Sequence, residues 1–175
     1  PYIILTERLI PFSQARGEKK FRKTGIVERL INTLMRSGTA HKIGGHVIRD
    51  RGGTGKKVKM HKIAQLAFEI ANKKTGKNPV ELLVRAIENA APREEVTRMK
   101  RGGVTYQIAV DVSPQRRVDY ALRNIGKAFV IRSFNTKKSA EEALADELIL
   151  AAKNDVQSHS ISRKIEIERV ARSSR

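Results

Sequence analysis

One alternating apolar segment preceded by two glycines constrains this sequence more than any other feature. Residues 104–112 alternate strictly, and one side of the extended chain carries Val104, Tyr106, Ile108, Val110 and Val112. This period of two is typical of a half-buried β-strand. Gly102 and Gly103 come directly before it, and glycine accepts the positive φ angles of a tight turn. The sequence therefore predicts one β-hairpin over residues 93–113.

The tip of this hairpin is basic, because it carries Arg98, Lys100 and Arg101. A two-stranded ribbon alone is marginal in water, so its base must pack on the rest of the chain. One interpretation of the tip is a solvated turn. Because the chain has a formal net charge of +18, we favour an arm that contacts RNA.

The rest of the chain has helical periodicity and predicts about six helices. Asn78-Pro79 is a strong helix start, and Ser139-Ala140-Glu141-Glu142 is a capping box. Thr24 is the expected cap of the first helix. The connections between these helices are short, which favours antiparallel neighbours. We expect a mainly α, single-domain bundle from which the β-hairpin protrudes as a ribbon arm.

Charge is distributed unevenly along the chain. The sequence has 36 Lys and Arg against 18 Asp and Glu, which indicates a polyanionic partner. Residues 16–62 contain fourteen basic and three acidic residues, whereas residues 141–155 contain five acidic residues and one lysine. One face can therefore bind phosphate while another stays free. Aromatic residues make up only 5%, which argues against a base-stacking sheet and favours a protein that binds the backbone of folded RNA.

Two basic segments flank the first helix. Residues 1–23 form a basic N-terminal extension, and residues 39–57 form a basic loop rich in glycine, within a helical RNA-binding domain over residues 24–175. Such segments commonly bind nucleic acid, although a solvated tail is the alternative for the extension. The candidate phosphate-binding residues from the extension to the start of the second helix are Lys19, Lys20, Arg22, Lys23, Arg29, Arg36, Lys42, Arg49, Arg51, Lys56, Lys57, Lys59 and Lys62.

The sequence offers no constellation that favours an enzyme. The segment that ends in Gly55-Lys56-Lys57 is similar to a nucleotide-binding loop. However, Asp50 stands where that loop has its first glycine, and Lys57 stands where it has Ser or Thr. The four histidines lack the spacing of a zinc site, and cysteine is absent. We expect no metal and no cofactor. The longest apolar run, residues 148–152, is far shorter than a membrane span, and no signal peptide is evident.

Five short motifs resemble the family of the seventh small-subunit ribosomal protein, in its archaeal and eukaryotic branch. They lie at residues 26–30, 76–79, 90–95, 109–117 and 144–148. The run Val110-Asp111-Val112-Ser113-Pro114, followed by Gln115-Arg116-Arg117 after a hairpin, is the most specific. The basic loop at residues 39–57 departs from the shorter bacterial connection, so bacterial contact positions do not transfer there.

The resemblance implies a helical bundle with a protruding β-ribbon in the cytoplasmic ribosome. It implies binding to the 3′ major domain of small-subunit ribosomal RNA (rRNA) and nucleation of head assembly. The ribbon would lie near the exit-site tRNA and the mRNA exit channel, beside head proteins that include the eleventh small-subunit protein. The resemblance also implies that the rRNA-facing residues include Arg116, Arg117, Arg163 and Lys164. The side of the ribbon toward tRNA and mRNA would consist of Arg98, Lys100, Arg101, Gly102 and Gly103.

The alternative from another class is an architectural protein that bends DNA with a β-arm. Such a protein needs a dimer and an apolar wedge at the tip of its arm. Here the tip is Arg101-Gly102-Gly103, which disfavours that interpretation.

Overall fold

Six α-helices and two antiparallel strand pairs make up the part of the chain that the structure describes. The structure is a computed structural model, and it describes residues 24–36, 42–43, 46–47 and 53–174. The helices are α1 (Ile26–Leu34), α2 (Lys57–Thr75), α3 (Pro79–Ala90), α4 (Pro114–Ser133), α5 (Ala140–Ala152) and α6 (His159–Arg172). The strands are β1 (Lys42–Ile43), β2 (His46–Val47), β3 (Glu94–Arg101) and β4 (Val104–Asp111). The predicted mainly α bundle with a β-hairpin is confirmed.

Side-chain caps determine where several helices begin. The Asn78 side chain accepts a hydrogen bond from the Val80 amide at 2.9 Å, so α3 begins at Pro79. Ser139 and Glu142 form both bonds of the predicted capping box at the start of α5. Ser158 accepts a bond from the Ile161 amide, so α6 begins at His159.

The predicted cap of the first helix is wrong by one residue. The cap is Gly25 rather than Thr24, and no side chain caps α1. The carbonyl of Gly25 accepts the first helical bond, from the Arg29 amide at 3.0 Å.

The core lies around α5, which packs against α2, α3 and α4. Alanines on α5 let its neighbours approach closely, and larger apolar side chains fill the space between the helices. Fully or nearly fully buried members of this core are Leu30, Leu83, Leu122, Ile125, Phe129, Leu144, Leu148 and Ile161. Their burial supplies the main driving force for folding, since each large apolar side chain contributes about 1.5–3 kcal/mol when removed from water.

The ribbon of β3 and β4 closes with the predicted glycine turn. Gly102 and Gly103 have φ angles of +58° and +82°, a region that other residues rarely adopt. Arg101 lies opposite Val104 in the register. The base of the ribbon packs on α6, and Val112, which directly follows β4, is only 6% exposed.

The apolar side of β4 is buried only at the base of the ribbon. Val104 and Tyr106 are 54% and 52% exposed, and Ile108 is 37% exposed, so the apolar side of this strand is open to solvent beyond its base. The alternation predicts a strand correctly, but the strand extends past the helices that would cover it. The ribbon therefore protrudes, as the sequence predicts, and its outer half contributes little buried area.

The second strand pair lies within the segment predicted as a loop. In β1 and β2, Lys42 pairs with Val47 and Ile43 pairs with His46. The remaining residues of the predicted loop, up to residue 52, lie outside the described residues. The loop also ends earlier than predicted, because α2 already begins at Lys57. Helix α2 ends at Gly76, whose φ of +64° is typical of a glycine that terminates a helix.

Candidate nucleic-acid interface

Helices α4 and α6 bring basic residues together on what we call the α4–α6 basic surface. Its members are Arg116, Arg123, Lys127, His159 and Arg163. Burial lowers the pKa of Lys127, and the neighbouring charges of Arg163 and Arg123 lower it further. These groups therefore lie close enough to repel one another. An anion bound among them would remove that repulsion, which is the electrostatic property expected of a phosphate site.

His159 titrates in the same environment. Burial lowers the pKa of its imidazole, and although the carboxylate of Glu147 acts to raise it, Arg163, Lys127 and Arg132 lower it again. The net direction is downward. Arg163, Lys127 and Arg132 therefore lie near the start of α6, where the carboxylate of Glu147 acts against their effect on His159.

Arg116 is held in place by the base of the ribbon. Its Nε lies 2.7 Å from Oε1 of Glu95, and its Nη2 donates to Oε2 of the same carboxylate at 2.9 Å. The hydrogen bond to Glu95 raises the pKa of Arg116. The side chain is still 58% exposed. This bidentate pair fixes the direction of the guanidinium without removing it from solvent.

The other residues that are predicted to face rRNA on α4 and α6 differ in their local contacts. Arg117 has a buried Nε without a hydrogen-bond partner among the described residues. Lys164 donates to the carbonyl of Asn89 at 2.8 Å, and Arg163 pairs with Glu166 one helical turn along α6. Lys164 therefore links α6 to the end of α3 and has a structural role of its own.

Two predicted phosphate-binding residues are engaged in intramolecular ion pairs. Arg29 Nη2 lies 2.6 Å from Oδ1 of Asp119, and the Arg29 side chain is only 16% exposed. Lys57 Nζ lies 2.7 Å from Oε1 of Glu28, whose side chain is 9% exposed. Both pairs fix α1 against a neighbouring helix. Binding to phosphate stays a prediction for both residues.

The remaining predicted residues fall into two groups. Exposed positions on or beside α1 and α2 are Arg36, Lys56, Lys59 and Lys62. Lys19, Lys20, Arg22, Lys23, Arg49 and Arg51 lie outside the described residues, and only the backbone of Lys42 is described.

The ribbon tip has two chemically different faces. Arg98 and Lys100 share one face with their cross-strand partners Gln107 and Thr105. The opposite face carries Met99 beside Tyr106, and Arg101 beside Val104. All of these side chains are exposed. The predicted basic tip thus has an apolar side as well, because successive side chains along each strand point to opposite faces of the ribbon.

The sequence of this chain is similar to those of known proteins. Residues 4–175 match the sequence profile of the family described as "Ribosomal protein S7p/S5e". The chain is also 47% identical to a protein of Methanothermobacter thermautotrophicus described as "Small ribosomal subunit protein uS7", over 98% of this chain and 87% of that protein.

The chain belongs to the S7 family of small-subunit ribosomal proteins. The resemblance found in the five motifs is confirmed. The S7 family consists of structural ribosomal proteins and is not an enzyme class. Among the residues that the structure describes, no cluster of His, Asp or Glu could hold a metal ion. Within the same residues, no helix is both long and apolar enough to cross a bilayer.

Sequence reasoning missed part of the basic surface of this S7-family chain. Arg123, Lys127 and His159 were not among the predicted rRNA-binding residues. A signal for two of them exists, since Arg116, Arg123 and Lys127 are seven and four residues apart and so share one face of a helix. No signal was available for His159, because its proximity to Lys127 depends on how α4 packs on α6.

Proposed function

We propose that the chain binds folded small-subunit rRNA in the 3′ major domain and helps to nucleate assembly of the head. The α4–α6 basic surface is the observation that carries this proposal. It concentrates positive charge: burial lowers the pKa of Lys127 most, and Arg163 and Arg123 lie close enough to lower it further. Membership of the S7 family supports rRNA as the polyanion.

The division of the chain into segments follows from this proposal. The helical domain, residues 24–175, provides the primary contact, through the α4–α6 basic surface and the exposed basic residues of α2. The basic extension, residues 1–23, and the basic loop, residues 39–57, add phosphate contacts around it. Their high density of Lys and Arg supports this role, because each phosphate contact releases counterions and adds affinity.

The ribbon serves a different purpose in this proposal. Its exposed tip reaches beyond the bundle toward the exit-site tRNA and the mRNA exit channel, and neighbouring head proteins, including the eleventh small-subunit protein, lie beside it. The exposure of Lys100 and Arg101 supports a contact with a partner outside the bundle. The tip is not required for anchoring the protein to rRNA, because the α4–α6 basic surface lies at the other end of the ribbon.

A competition experiment tests the primary proposal. The full chain is bound to a labelled fragment of the 3′ major domain, and unlabelled fragment or duplex DNA of equal phosphate content is added at matched salt. We expect the folded rRNA to compete at much lower concentration. Equal competition by duplex DNA would favour the architectural DNA-binding alternative and contradict the proposal.

A paired substitution locates the contact. Arg123→Gln with Lys127→Gln removes two positive charges from the α4–α6 basic surface. Arg85→Gln with Lys153→Gln removes the same charge from exposed positions outside it. We expect the first pair to reduce affinity for rRNA and to flatten its dependence on salt by up to about one logarithmic unit per lost contact. An equal effect of both pairs would show that only net charge matters.

A further inference from the structure

An open cleft of about 410 Å³ lies beside the N-terminal half of α4. Its lining is polar and includes Gln115, Arg116, Asp119, Tyr120 and Arg123. The volume is in the range of clefts that hold one small ligand. Polar and aromatic side chains of this kind can hydrogen-bond and stack with a planar polar molecule, and an apolar ligand would leave their hydrogen bonds unsatisfied.

Three planar side chains follow one another along the wall of this cleft. The guanidinium carbons of Arg116 and Arg123 each lie 5.9 Å from the ring centre of Tyr120. The first is held by Glu95, as described above, whereas Arg123 makes no ion pair with any described residue. Aromatic rings and guanidinium planes are the surfaces on which proteins stack bases that have left an RNA helix. The positive charge of Arg123 is free to meet a phosphate.

Asp119 gives the cleft a hydrogen-bond acceptor. Its side chain is 60% exposed, and Oδ1 accepts from Arg29 at 2.6 Å. A carboxylate has about four acceptor positions, so most of its capacity remains after this pair forms. Arg29 fixes the direction of the carboxylate. Among the bases, guanine presents two adjacent donors, N1–H and the N2 amino group, along one edge. Adenine and cytosine present an acceptor there, which a carboxylate repels.

We propose that this cleft binds a single unstacked guanosine nucleotide of the RNA. Its base stacks on the exposed guanidinium plane of Arg116, which lies over the ring of Tyr120. Its Watson–Crick edge donates to Asp119, and its phosphate lies against Arg123. This site rests on the rRNA-binding function proposed above and gives that function one position of base recognition. The rest of the surface binds phosphate without reading the base.

The experiment uses the full chain and GMP as the probe, with AMP and inorganic phosphate for comparison. Binding is followed by nuclear magnetic resonance at the Gln115 side-chain amide, the Tyr120 ring and the backbone amides of residues 119–123. We expect GMP to shift these signals saturably and to bind roughly tenfold more tightly than AMP. Phosphate alone should shift mainly the signals near Arg123.

Variants separate stacking from edge recognition. Asp119→Asn should abolish the preference for GMP over AMP. Tyr120→Leu should weaken both nucleotides, whereas Tyr120→Phe retains the ring and should retain binding. Tyr106→Leu is the matched control, because it removes an exposed tyrosine from the ribbon, and it should leave both affinities unchanged. Thermal unfolding of each variant verifies that it folds.

Two outcomes would overturn the guanosine site. Inorganic phosphate that produces the same shifts as GMP would show a site for charge alone. A GMP preference that survives Asp119→Asn would exclude the carboxylate from recognition. Affinity for the 3′ major domain fragment is measured on the wild-type chain in parallel. If that affinity is high while either outcome is found, the guanosine site fails and the rRNA-binding function stands. If the wild-type chain does not bind the fragment, the rRNA-binding function itself fails.

Discussion

Nε of Arg132 lies 2.7 Å from Oε2 of Glu147, and the Glu147 side chain is fully buried. The other carboxylate oxygen accepts from Ser158 Oγ at 2.7 Å and from the Ser160 amide at 3.1 Å. Arg132 also donates to the carbonyl of Gln157 at 2.7 Å. One carboxylate thus joins the end of α4, the middle of α5 and the start of α6. It fixes the helix that carries His159, Arg163 and Lys164.

Glu147→Gln should destabilise the protein by about 2–4 kcal/mol. The amide keeps one acceptor oxygen but leaves the positive charge of Arg132 without its partner, and breaking a buried ion pair is costly for that reason. The Arg132 side chain is 25% exposed, so water offsets part of the cost. Urea denaturation of the variant and the wild-type chain measures the difference in unfolding free energy.

Glu69→Gln is the matched control for this substitution. Glu69 lies on α2 and is exposed, and its replacement should change stability by less than about 0.5 kcal/mol. If both variants were equally stable, the Glu147 network would not be what fixes the start of α6. In that case the buried apolar contacts of Ile161 would have to position this helix.

Local signals made most of the helices predictable. The caps at Asn78 and Ser139 act on amides two or three residues away, so the information they carry is contained in a few adjacent positions. The ribbon was predictable because its tight turn requires positive φ angles, which Gly102 and Gly103 adopt readily. The exact start of α1 was not predictable, because Gly25 caps it without any side-chain signal.

The basic surface was only partly predictable, since sequence gives charge but not the partner of each charge. Arg29 and Lys57 count as two positive residues in the sequence, yet the fold pairs them with Asp119 and Glu28. The pKa of Lys127 is lowered by burial and then by Arg163, which lies on another helix 36 positions away along the chain. Such pairings depend on helix packing, and no local pattern encodes them.

The N-terminal extension should contribute to the salt dependence of rRNA binding. Replacing Lys19, Lys20, Arg22 and Lys23 with Ala should flatten the slope of log affinity against log salt concentration, by up to about one unit for each phosphate contact removed. Filter binding to the 3′ major domain fragment over a series of salt concentrations measures the slope. An unchanged slope would show that the extension is a solvated tail.

Asp146 should make stability depend on pH in the acid range. Burial acts to raise its pKa, but hydrogen bonds from Lys138 and Lys74 outweigh burial and leave the pKa below the ordinary value of 3.8. The unfolded chain therefore binds more protons between the two pKa values, and stability falls as pH falls through the folded pKa. The contribution is fully present above the unfolded pKa and is lost at lower pH.

The Asp146→Asn variant tests this effect against the wild-type chain. Both lysines are about half exposed, so the variant should lose only about 1 kcal/mol at neutral pH. The difference in unfolding free energy should shrink toward zero as pH falls below about 4. Lys74→Met should remove part of the same pH dependence. A difference that stays constant from neutral to acid pH would mean that Asp146 stabilises the fold by some means other than its charge.

Shortening the ribbon should separate function from stability. Removing Lys100, Arg101, Val104 and Thr105 takes out two opposite pairs of the register. Gly102 and Gly103 then join directly to the pair of Met99 and Tyr106, and the turn is preserved. Each strand has eight residues, so at ~3.3 Å per residue the arm reaches on the order of 25 Å, and this deletion shortens it by about a quarter.

The shortened ribbon should unfold at nearly the wild-type temperature, because all four removed side chains are exposed. Val112→Ala at the base is the contrasting variant. Val112 is 6% exposed, and its truncation should cost about 1–2 kcal/mol. Affinity of the shortened chain for the 3′ major domain fragment should also persist, because the α4–α6 basic surface is intact. Retention of exit-site tRNA by subunits assembled with the shortened chain should decrease. A large loss of rRNA affinity with an unchanged melting temperature would contradict this division, since it would make the ribbon tip a primary anchor.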